Sequence, residues 1–82
     1  MNIQSALQDV PLIAILRGLN PELAVDTAGT LLDAGFRVIE VPLNSPSPLR
    51  SIERIAHRFA DNALIGAGTV LSEADVVSVD AA

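Results

Sequence analysis

Three short apolar runs recur at a near-constant interval, starting near residues 12, 37 and 63, and each is followed by a helical pattern. An interval of about 25 residues is the length of one strand-plus-helix unit, and consecutive units join through right-handed crossovers into a parallel sheet. A parallel strand is covered on both faces, so it reads as a continuous apolar run instead of an alternating one. Leu12-Ile-Ala-Ile-Leu16, Arg37-Val-Ile-Glu40-Val41 and Ala63-Leu64-Ile65 have this character. The expected class is α/β. Eight such units would make the ~200–250 residues of a (β/α)8 TIM barrel, and the 82 residues hold three strands and most of three helices. Three parallel strands with two open edges leave backbone groups unpaired and bury little apolar surface. The expectation from the residues alone is therefore a fragment of a larger domain.

Local signals place the helices. Residues 1–10 are polar and mixed, a loose lead-in or a short helix. In Asn20-Pro21-Glu22, Asn caps, Pro takes the first helical position and Glu meets the positive end of the dipole. Ala24, Ala28, Leu31 and Leu32 follow at helical spacing, and Gly35 is suited to a left-handed C-terminal cap. Pro42 is expected to end the second strand. Ser47-Pro48 predicts a second helix start, with Leu49, Ile52, Ala56 and Phe59 as its buried stripe and Arg50, Glu53, Arg54 and Arg58 mostly facing water. Asp61-Asn62 turn the chain into the third strand. Ser72-Glu-Ala-Asp75 resembles a capping box and opens a third helix.

Composition excludes several functions. Half of the residues are hydrophobic, which argues against disorder. The net charge is −5 and the only aromatics are Phe36 and Phe59, a poor match to the basic stripe or stacking platform that nucleic acid requires. The uninterrupted run Leu12–Leu16 is far short of a membrane span, and no stretch reads as a signal peptide. With no Cys there is no disulfide or thiolate metal site, and the expected location is the cytoplasm. All five basic residues are Arg, so apart from the terminal amine nothing here can form a Schiff base.

In parallel α/β proteins the functional face lies at the carboxyl ends of the strands. Arg17, Glu40 and Thr69 fall on that side, one per strand. Burying an unpaired carboxylate costs several kcal/mol, so Glu40 on an apolar strand is either an edge residue or a chemical group able to move protons. Arg17 is either an exposed loop charge or a planar fork for a carboxylate. Gly66-Ala-Gly68-Thr69 is not a dinucleotide fingerprint, because Leu71 stands where a third Gly is needed. It is either a tight turn or a place where backbone and hydroxyl approach a small ligand. Asn44 and Ser45 follow the second strand and read first as turn chemistry ahead of Pro46. His57 has no partner at ligand spacing and reads as a solvated surface residue. No metal cluster or nucleophile triad is visible, and no cofactor is expected.

Four blocks together resemble the amino-terminal part of the KDPG/KDPGal aldolase family: Pro11-Leu-Ile-Ala-Ile-Leu-Arg17-Gly18, Asp33-Ala-Gly35-Phe36, Ile39-Glu40-Val-Pro-Leu-Asn44-Ser45-Pro46 and Leu64-Ile-Gly-Ala-Gly-Thr69-Val70-Leu71. The resemblance implies a class I aldolase of (β/α)8 fold, usually trimeric, that cleaves phosphorylated keto sugar acids to pyruvate and glyceraldehyde 3-phosphate, with residues 1–82 as the amino-terminal fragment of that single domain, the first three βα units of a truncated α/β TIM barrel. It implies Glu40 as the general acid/base, with Thr69, Gly68 and Asn44 lining the substrate site. The loop after the second strand carries no Arg, while Arg17 ends the first, which resembles the phosphogalactonate branch, where that Arg takes the pyruvate carboxylate. The phosphogluconate branch is the alternative. The family's Schiff-base Lys lies on a later strand, so the 82-residue chain is expected to be inactive alone. Two other readings stay open: a non-catalytic module that oligomerises through its sheet edges, and a different phosphate-handling α/β enzyme.

Overall fold

The computed structural model describes residues 2–82. Its elements run α1 (Ile3–Asp9), β1 (Ile13–Ile15), a 3₁₀ turn (Pro21–Leu23), α2 (Ala24–Asp33), β2 (Val38–Pro42), α3 (Pro48–Phe59), β3 (Leu64–Gly68) and α4 (Glu73–Ala81). The strands form one parallel sheet in the order β1-β2-β3, with Ile15 beside Glu40 and Glu40 beside Gly66. This is the α/β arrangement that the repeat interval implies.

Alternation along β2 gives the sheet two unlike faces. Ile39 and Val41 point into the core, where they meet Ala14, Leu19, Ala24, Ala28, Ile52 and Ile55 from the helix side. Ala24 and Ala28 are fully buried, and their small side chains let α2 lie close on the sheet. Glu40 points the other way, and its paired residues Ile15 and Gly66 share that face. Ile13 and Ile15 on β1 are 48% and 61% exposed, so much of this second face is bare. At its start α1 packs against β2, pinned by an Arg37–Asp9 ion pair of 3.5 Å.

Several helix ends form as their residues dictate. Asn2 and Asn20 cap with their side chains, although Pro21 opens a 3₁₀ turn before the α-helix proper. At the end of α2, Gly35 has φ of 109° and donates to Leu32, while Phe36 donates to Leu31. These two bonds are the Schellman pair that satisfies orphan carbonyls. Ser72 accepts from the Asp75 N–H at 3.1 Å. The Asp75 carboxylate reaches the Leu71 N–H at 3.3 Å, one residue beyond the reciprocal partner of a capping box.

Other expectations need correction. Ser47 precedes α3 as expected but lies in the left-handed region with no side-chain cap. The buried stripe of α3 is Ser51, Ile52 and Ile55; Leu49 is exposed and Ala56 and Phe59 are half-buried. The stripe is therefore displaced around the helix, and a hydroxyl occupies a position that hydrophobic periodicity passes over. Arg54 turns inward to donate to the Pro21 carbonyl at 3.0 Å. Pro42, by contrast, ends β2 as expected, being its last residue. Its missing N–H would face Leu16, whose carbonyl already accepts from Leu19, so the strand loses no bond there.

Ser51 Oγ is fully buried without a hydrogen-bond partner, whereas Ile55, one turn along, is fully buried in the apolar cluster. A buried unpaired hydroxyl costs about 1–3 kcal/mol, while truncating a buried Ile costs about 2–5 kcal/mol. Ser51→Ala is expected to hold or raise the thermal midpoint and Ile55→Ala to abolish or sharply lower it. Calorimetry or circular-dichroism melts of both variants check the contrast, and a large loss in Ser51→Ala would contradict it.

Candidate active site

Arg17, Glu40, Asn44, Gly68 and Thr69 all lie toward the carboxyl ends of the three strands. Glu40 is the central residue of β2, which continues to Pro42, so it is a mid-strand residue and not the strand's last. It is half-buried on the sheet face opposite the helix-packed core. Leu16 donates to its backbone carbonyl at 2.9 Å, which ties Glu40 to the end of β1.

Gly66-Ala-Gly68 belongs to β3 and does not turn. Both glycines share the face of Glu40, since Gly66 pairs with Glu40 and Gly68 with Pro42. They remove two side chains from the space beside the carboxylate. A Cβ built on Gly68 would overlap Glu40 Oε1, whereas one on Gly66 would meet nothing within 4 Å. The Glu40 side chain therefore lies over Gly68, and the absence of a side chain there makes room for it.

Thr69 follows at once, exposed, with φ of 54°. A β-branched residue in the left-handed region is strained by about 1–3 kcal/mol, and such strain concentrates at functional sites. The strand ends are also tied together: Leu43 donates to the Gly68 carbonyl at 2.9 Å, and Ser45 Oγ accepts from the Gly18 N–H at 3.1 Å. Arg17 is exposed at the tip of β1. The sequence pairs Asn44 with Ser45 as turn residues, and the structure separates them. Asn44 is exposed, while Ser45 is buried and bridges two loops. The only advance signal for Ser45 is a small hydroxyl residue beside a strand tip.

A concavity of about 860 Å³ lies elsewhere. Lined by Asp26, Asp33, Arg37, Arg58, Asp61 and Asn62 among others, it lies between α2 and α3 toward the amino ends of the strands. Within its lining, at the end of α3, the Arg58 guanidinium lies over the ring of its neighbour Phe59, 5.1 Å from the centroid. It is remote from Glu40 and shares no residue with the strand tips. Among the described residues no group of three His, Cys, Asp or Glu side chains could hold a metal ion, and no helix is long and apolar enough to cross a membrane.

The family model described as KDPG and KHG aldolase matches residues 3–82. The chain belongs to this family. It is 58% identical over 66 residues to the probable 2-dehydro-3-deoxy-6-phosphogalactonate aldolase of Rhizobium meliloti (strain 1021), which covers 80% of the chain and 31% of the relative. It is 52% identical over 67 residues to the 2-dehydro-3-deoxy-6-phosphogalactonate aldolase of Escherichia coli (strain K12), covering 82% and 33%. The chain thus spans about a third of the length of these relatives. A solved structure described as native KDPGal matches with a TM-score of 0.83 and 50% identity over 85% of this chain and 34% of that one. A second match, with a TM-score of 0.82 and 48% identity over 84% of this chain and 26% of the other, lies in a cube-shaped protein cage designed by fusing symmetric oligomeric domains. The three parallel strands with their helices are thus part of the TIM barrel of this aldolase family.

The carboxylate over Gly68 generates a specific expectation. Gly68→Ala forces the Glu40 carboxylate off its seat, but the new methyl meets only the end of a flexible, half-buried side chain that can swing aside, so the melting temperature should change little. A crystal structure of Gly68→Ala should show Glu40 in another rotamer, whereas Gly66→Ala, which meets open space, should leave it in place. An unmoved Glu40 in Gly68→Ala would contradict the close approach.

Proposed function

We propose that the chain carries the acid/base and carboxylate-recognition part of a 2-dehydro-3-deoxy-6-phosphogalactonate aldolase. The observation that carries this reading is the seat of Glu40: a half-buried carboxylate on the face opposite the core, above a glycine and between two strand tips. The names of the 58% and 52% identical relatives support the galactonate substrate. A 35% identical relative from Pseudoalteromonas atlantica, a 2-dehydro-3-deoxy-phosphogluconate aldolase, represents the gluconate branch more distantly. The single Arg at the tip of β1 and its absence from the loop after β2 favour the galactonate side.

In this reading Arg17 takes the carboxylate of the pyruvate half through its planar fork. The Thr69 hydroxyl and the Gly68 backbone line the same end, with Asn44 at the rim. The Glu40 carboxylate accepts the hydroxyl proton as the carbon–carbon bond breaks, the electron pair passing into an imine formed on an amine, and returns a proton to the carbon that becomes the pyruvate methyl. The chain has no Lys, so that amine must come from the part of the domain beyond these three βα units. The 82-residue chain alone is then inactive. Assembly of the whole enzyme as a cytoplasmic homotrimer belongs to the same reading.

The test is a hybrid in which residues 3–82 replace the matching segment of the Escherichia coli relative. It is expected to cleave the galactonate substrate faster than the gluconate epimer, with pyruvate release followed by a coupled dehydrogenase. Glu40→Gln in the hybrid should lower kcat by about 10²–10⁴-fold, the usual worth of a positioned acid/base, without changing the circular-dichroism spectrum. Near-normal turnover would remove Glu40 from proton transfer.

A further inference from the structure

Ser45 stands out among the strand-end residues. It is 6% exposed although its neighbours Asn44 and Pro46 are exposed, and it sits in the turn where its own N–H donates to the Pro42 carbonyl at 3.1 Å. Its Oγ accepts from the N–H of Gly18, on the loop after β1, at 3.1 Å. No other side-chain hydrogen bond among the described residues joins the loops at the strand tips.

The Gly18 N–H belongs to the peptide plane between Arg17 and Gly18. Leu19 donates to Leu16 at 3.3 Å, which closes a four-residue turn with Arg17 and Gly18 at its centre. Gly18 has φ of 75°, the sign that the third position of a type II turn requires. Types I and II differ by a flip of that central peptide plane. An acceptor fixed opposite its N–H selects one orientation and ties the backbone on which Arg17 stands to the loop after β2. Leu16, which packs against the core, and the buried Leu19 hold the ends of the turn. Only the central plane needs an outside partner.

We infer that Ser45 is a positioning residue for Arg17. Its hydroxyl fixes the Arg17–Gly18 peptide and so presents the guanidinium to the carboxylate of a 2-oxo acid. The inference rests on the reading of Arg17 as the carboxylate-binding residue. A lost neutral hydrogen bond corresponds to about a 2–12-fold change in an equilibrium constant. Because Arg17 holds a part of the substrate that does not react, the loss falls on KM more than on kcat.

Steady-state kinetics of the hybrid enzyme test this with Ser45→Ala, Ser45→Thr, Arg17→Ala and the Ser45→Ala/Arg17→Ala double variant, alongside thermal melts. Ser45→Ala should raise KM about fivefold with kcat within about twofold. Ser45→Thr, which keeps the hydroxyl, should restore KM, and Ser45→Ala should add nothing once Arg17 is gone, the signature of coupled residues. An unchanged KM in Ser45→Ala, or an effect that persists in full without Arg17, overturns the positioning role while leaving Arg17 in place. An unchanged KM in Arg17→Ala overturns the reading of Arg17 and the inference with it. A crystal structure of Ser45→Ala that leaves the loop after β1 and Arg17 where they stand in the parent would also overturn it, without reference to activity.

Discussion

Side-chain alternation along β2 is the constraint on which the rest of the structure depends. Because successive residues point to opposite faces, Ile39 and Val41 can be fully buried among helix residues only if Glu40 faces away from them. A one-residue slip would drive the carboxylate into the apolar cluster and put Ile39 and Val41 on the opposite face. An unpaired carboxylate there would cost several kcal/mol. The hydrophobic core thus fixes the register of Glu40 without touching its side chain, and carboxylate and core are separated across the thickness of one strand.

Around that strand, neighbouring segments give up side chains or conformational ease. β3 supplies two glycines on the face of Glu40, one of them beneath the carboxylate. Thr69 accepts a left-handed backbone immediately after. The loop after β1 turns at a left-handed Gly18 and is held by a hydroxyl from the loop after β2. These features sit at the carboxyl ends of the strands. At the other end stand the Arg37–Asp9 ion pair and the Schellman cap at Gly35, both explained by helix and strand packing. That division is the one barrel folds make between a chemical face and a stability face.

Much of the architecture was legible in the residues. The repeat interval implies three parallel βα units, and Asn20, Gly35 and Ser72 carry local capping signals that the structure realises within a few residues. The position of Glu40 within an apolar run was legible for the same reason, since parallel strands tolerate few charges. What escaped was set by contacts distant in sequence. Gly66-Ala-Gly68 carries the local signature of a turn, yet it is strand, paired along β2, and Gly68 makes room for a carboxylate on that neighbouring strand. The stripe of α3 was misplaced because Ser51, a polar residue, lies fully buried in it. Ser45 and Asn44 are chemically similar turn residues, and only the position of Gly18 across the sheet distinguishes them.

Exchange of the pyruvate methyl protons with deuterated water, in the hybrid enzyme and its Glu40→Gln variant, tests the proposed role of Glu40 in proton transfer most directly. It follows proton transfer at carbon without carbon–carbon cleavage, while borohydride trapping of the imine reports separately on substrate capture. The account predicts exchange in the parent hybrid, and in Glu40→Gln a rate lower by about 100-fold or more with trapping retained. Equal exchange in both proteins would contradict it.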